Sequence, residues 1–60
     1  MSTVYNPESE TMARIERLEI EAKDIRRKVD YLHNENDKRV LNRQLKEIRE
    51  EITNLQAKLP

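Results

Sequence analysis

Cysteine, glycine, tryptophan and phenylalanine are all absent from the 60 residues. Without cysteine there is neither a disulfide framework nor a thiolate metal site, so a chain this short must find its stability elsewhere. Without glycine no phosphate-cradling loop or calcium loop can be built, and any left-handed turn falls to Asn or Asp. No apolar run approaches the length of a membrane-spanning helix or a signal-peptide core. The expectation is a soluble, cytoplasmic protein with no membrane partner. Net charge is zero, which leaves no global attraction for nucleic acid or an anionic membrane.

What the chain does contain is charge and apolar periodicity. Forty per cent of residues are charged, and with Leu and Ile they give the composition of long helices or coiled coils. Disordered chains share the charge and lack the periodicity, so the pattern decides. Residues 1–5 show none and are expected to form an arm, with Val4 and Tyr5 as candidate partner contacts. Asn6 then reads as a helix N-cap, with Pro7 at the first helical position and acidic Glu8 and Glu10 in the first turn. From there Ile15, Leu18, Ala22, Ile25, Val29 and Leu32 follow at spacings of three and four in alternation, an a/d seam. A second seam with the same alternation runs through Leu41, Leu45, Ile48, Ile52, Leu55 and Leu59.

The two seams are out of phase. The a positions Ile15, Ala22 and Val29 would continue to Asn36 and Arg43 on one unbroken helix. The second seam places them at Lys38, Leu45 and Ile52, two residues later. Stutters and stammers shift the phase by four or three, so a shift of two predicts a break, located within His33 to Asp37. There Asn34 is suited to a left-handed C′ position, and Asn36 to capping the second helix ahead of Asp37. The resulting expectation is an all-α fold, an antiparallel helical hairpin over residues 6–60. Helix 1 covers about 7–33, the turn 34–36 and helix 2 37–59.

An antiparallel pairing that sets a opposite d joins Ile15 with Leu55, Leu18 with Ile52, Ala22 with Ile48, Ile25 with Leu45 and Val29 with Leu41. It also directs Arg14 toward Lys58. Sliding by one heptad pairs Leu18 with Leu59 and Leu32 with Leu45, improves some flanking charges and uncovers Ile15. Exposed ion pairs contribute only about 0 to 1 kcal/mol each, so burial of Ile15 favours the first register.

A lone hairpin of this size is expected to leave its seams incompletely covered. The twelve seam residues are therefore also read as an oligomer interface, with self-association into a homo-oligomeric helical bundle. A homodimer forming a four-helix bundle is favoured and a trimer is the competitor. Charge supports the dimer: residues 26–49 carry a surplus of four positive charges and the remainder a matching negative surplus. In a hairpin this makes a rod with a basic turn end and an acidic open end. Two rods packed antiparallel match opposite ends. Arg14 to Glu19, RIERLE, resembles the short motif of three-stranded parallel coiled coils, in which Arg and Glu flank two apolar residues three apart. The resemblance implies the trimer.

Catalytic residues, cofactors and metal ions are not expected, because a thin bundle offers no water-excluding pocket. His33, with Asp30 and Asp37 nearby in sequence, falls short of the four ligands of a structural metal site. The function expected is a non-enzymatic protein-protein interaction or assembly module, an adaptor, inhibitor or structural component. Off the seam, Ile20, Tyr31 and Val40 are candidate contacts for a larger protein partner. The alternative is a nucleic-acid-associated regulator using the basic surface of Arg26, Arg27, Lys28, Lys38, Arg39, Arg43, Lys46 and Arg49. Interleaved Asp30, Glu35, Asp37 and Glu47 weigh against it.

Overall fold

The computed structural model describes residues 7–60 as two helices, α1 (Pro7–Tyr31) and α2 (Glu35–Gln56), joined by Leu32, His33 and Asn34. Asn6, the expected cap of the first helix, and the arm at 1–5 with Val4 and Tyr5 lie outside the described residues. At the start of α1, Pro7 supplies a preset helical φ, and the Thr11 hydroxyl donates back to the Pro7 carbonyl at 2.9 Å. Glu8 and Glu10 stand in the first turn and Lys28 in the last, each complementing the helix dipole.

The break falls earlier than the sequence pattern suggests. α1 ends at Tyr31 instead of at 33, and α2 begins at Glu35 instead of at 37. Asn34 takes neither a left-handed conformation nor a C-terminal role: its φ of −88° and ψ of 121° are extended, and it is the N-cap of α2. Its Oδ1 accepts from the backbone N–H of Asn36 at 2.8 Å and of Asp37 at 3.4 Å, and its own carbonyl accepts from Lys38 at 3.1 Å. Asn36, expected as the cap, is one of the residues being capped. Capping two positions earlier adds Glu35 to the first turn beside Asp37, where both carboxylates suit the positive helix end. No described residue has positive φ. The connection between the two helices turns without any left-handed residue.

α2 ends at Gln56, short of the expected 59. Ala57 caps it in helical geometry, and short backbone bonds from Lys58 to Leu55 and from Leu59 to Gln56, each 3.1 Å, tighten the last turn.

The helices pack antiparallel along the predicted seam. Ile15, Leu18, Ala22, Ile25, Leu45 and Ile48 are buried, and Ile25 is the most enclosed at 6 % exposure. Val29, Leu41, Ile52 and Leu55 pack around this core and are themselves partly buried. Leu32 and Leu59 are half-buried at the two ends. Ile15 shares a groove with Gln56 and Leu59, and Leu32 shares one with Leu41, placements that belong to the register burying Ile15. Among the described residues, every buried side chain belongs to this one layer of seam residues, and no polar side chain is buried with it. The centre of the seam is closed within a single chain, more fully than the sequence argument anticipates.

Candidate interaction surface

The two flanks of the hairpin differ. Heptad positions three, four and seven residues apart share a helix face, and in an antiparallel pair the two g faces meet on one flank and the two e faces on the other. On the first flank Arg14 spans the helices: its Nη2–H donates to Glu51 Oε1 at 2.6 Å and its Nε–H to the same oxygen at 3.2 Å. The register alone directs Arg14 toward Lys58, but the flexible guanidinium turns to the nearby carboxylate. With the side chains 61 % and 42 % exposed, solvent screening holds the pair to about 0 to 1 kcal/mol. It identifies the flank more than it secures it.

The opposite flank carries no ion pair between helices among the described residues. There a groove runs between α1 and the end of α2, lined by Met12, Ile15, Glu16, Glu19, Gln56 and Leu59. A second shallow groove, lined by Glu16, Glu19, Ile20 and Lys23, adjoins it. The two share Glu16 and Glu19, so this is one continuous surface. Its exposed large apolar members, Met12 and Ile20, are 54 % and 64 % exposed. Met12 went unrecognised in the sequence because an e position beside a seam reads as seam margin. Its spacing of eight from Ile20 was the signal available.

The three outward candidates do not form one patch. Ile20 belongs to the surface just described, whereas Val40 lines a separate groove at the turn end with Leu32, Asp37 and Leu41. Tyr31, at the last position of α1, is 81 % exposed, more than Met12, Ile20 or Val40. The basic residues Arg26, Arg27, Lys28, Arg39, Arg43, Lys46 and Arg49 all point to solvent. Lys38 is partly buried and its Nζ lies 4.0 Å from Glu35 Oε1. His33 is exposed in the connecting loop, and among the described residues no group of three or more His, Asp or Glu side chains is placed to hold a metal ion. No helix of the described residues is long and apolar enough to cross a membrane.

These features define a two-helix, all-α hairpin with a closed seam and apolar grooves on its outside. No protein-family model matches the chain, and neither a curated protein nor a solved structure matches it.

Proposed function

We propose that the chain is a non-enzymatic protein-protein interaction or assembly module that binds through the outer apolar surface of its helices. The observation that carries this reading is the exposure of Met12, Ile20, Tyr31 and Val40 on a chain whose core needs none of them. On so small a surface, large apolar groups left in water cost nothing to the fold and gain at most about 1.5 to 3 kcal/mol each, in proportion to the area still exposed, when a partner buries them. An amphipathic helix offers such residues to a groove or to another helix. The polar atoms support the same reading, because no charged or polar side chain is buried among the described residues, and catalysis relies on groups withdrawn from bulk water.

Affinity capture with the wild-type chain, followed by identification of what it retains, is the test. Ile20→Asp and Val40→Asp should each reduce retention while helicity stays unchanged. Retention that ignores both substitutions would remove the outer apolar surface from the account.

The exposed basic residues toward the turn favour a second reading, a nucleic-acid-associated regulator, since among the described residues Arg26, Arg27, Arg39 and Arg43 have no acidic partner. Phosphate contacts would give an affinity for nucleic acid that falls steeply with salt. Binding that survives high salt, or no binding at low salt, separates the two.

A further inference from the structure

We infer that the partner of the flank carrying Met12, Glu16, Glu19 and Ile20 is a second copy of this chain, packed antiparallel. The inference rests on the interaction-module reading and names its partner. Charge is the reason. On α1 the flank runs Met12, Glu16, Glu19, Lys23 and Arg26 at alternating spacings of four and three. On α2 it continues from Gln56, which lines the groove, back through Arg49, Lys46 and Arg39 at spacings of seven, three and seven. Residues so spaced lie on one side of a helix. This single flank is therefore acidic toward the open end and basic from its middle to the turn, with Asp30 and Glu35 interrupting the basic half. The other flank mixes its charges: Arg14 and Glu51 already neutralise each other there.

A surface that is acidic at one end and basic at the other is complementary to itself after a half-turn. Two hairpins related by a two-fold axis near the middle of the flank would set Glu16 and Glu19 of each against Lys23, Arg26 and Arg49 of the other. Met12 and Ile20 lie among these charges and would be removed from water by the same contact. Parallel packing would place acidic end on acidic end. A two-fold interface of this kind also closes, which limits assembly to a pair. Because the seam is already buried within each chain, joining two hairpins leaves it intact.

The test is a charge-swap series followed by sedimentation equilibrium, with circular dichroism verifying that each variant keeps the wild-type helicity. The first variant, Glu16→Lys with Glu19→Lys, makes the flank predominantly basic. The second, Arg26→Glu with Arg49→Glu, makes it predominantly acidic. Since exposed pairs are individually weak and four are reversed at once, each variant alone should dimerise about ten- to a hundredfold more weakly than wild type. An equimolar mixture should recover a dimer at near wild-type strength. Orientation is read separately with a spin label at Gln56→Cys, a unique thiol in this chain. Antiparallel packing holds the two labels more than about 20 Å apart at 1.5 Å per residue, and parallel packing brings them within about 10 Å. A wild-type monomer at high concentration, variants that dimerise undiminished, failure of the mixture, or close labels would each overturn the inference. If dimerisation fails while capture of another protein persists and depends on Ile20, the interaction-module reading stands without this partner.

Discussion

α1 and α2 contribute to the same seam but are not equivalent helices. α2 is amphipathic, with Val40 as its exposed large apolar residue, and the hairpin accounts for nearly all its apolar content. α1 spreads apolar residues around its circumference: beyond Ile15, Leu18, Ala22 and Ile25 on the seam it exposes Met12, Ile20 and Tyr31. A helix whose apolar residues are all used by the fold is explained by the fold. One with apolar residues left over points to something outside it, so α1 is where function should be sought.

Breaking the shared seam should have the largest effect. Ile25→Asp places a carboxylate at the most enclosed position of the chain, with no buried partner to compensate it. The hairpin should lose at least about 3 kcal/mol and unfold, seen as collapse of the helical circular dichroism signal. Ile48→Ala, on the α2 side of the same core, should cost about 2 to 4 kcal/mol in urea unfolding. If the α2 side proved far more tolerant than the α1 side, the seam would not be a shared layer.

The connection between the helices is the next most sensitive element. Asn34→Ala removes the acceptor of two backbone N–H groups and should cost about 1 kcal/mol, or about 4 to 8 °C of melting temperature in a domain this small. Asn36→Ala should cost only a few tenths of that, because the Asn36 side chain caps nothing. Equal effects would restore the cap to Asn36. Smaller still, Glu51→Gln should change stability by no more than about 1 kcal/mol, since the Arg14 pair is open to water.

Reading these elements from the sequence succeeded where a single strong signal operated. Alternating spacings of three and four marked both helices and the whole seam, and the two-residue phase shift marked the break, because burial enforces period more strictly than any other local preference. The loop was less legible. Asn34 and Asn36 both precede acidic residues, and either can cap a helix. The choice follows from which backbone becomes extended, a property of the folded turn. The Arg14 to Glu51 pair was hidden for a related reason: a long guanidinium side chain chooses among neighbours that heptad arithmetic treats as equivalent. The continuous surface of Met12, Glu16, Glu19 and Ile20 required knowing that Gln56 and Leu59 border the same groove. That is a relation between helices and has no local signature.

The claim at the centre is that the outward apolar residues of α1 serve association and not folding. Met12→Asp combined with Ile20→Asp, compared with wild type by thermal unfolding and sedimentation equilibrium on the same samples, tests it directly. Surface substitutions outside the core change stability by about 0.5 kcal/mol or less, so under conditions where both proteins are monomeric the melting temperature should stay within a few degrees of wild type. Association should be lost across the concentrations at which wild type self-associates. Unfolding of the double variant as a monomer, or association as strong as that of the wild type, would contradict the account.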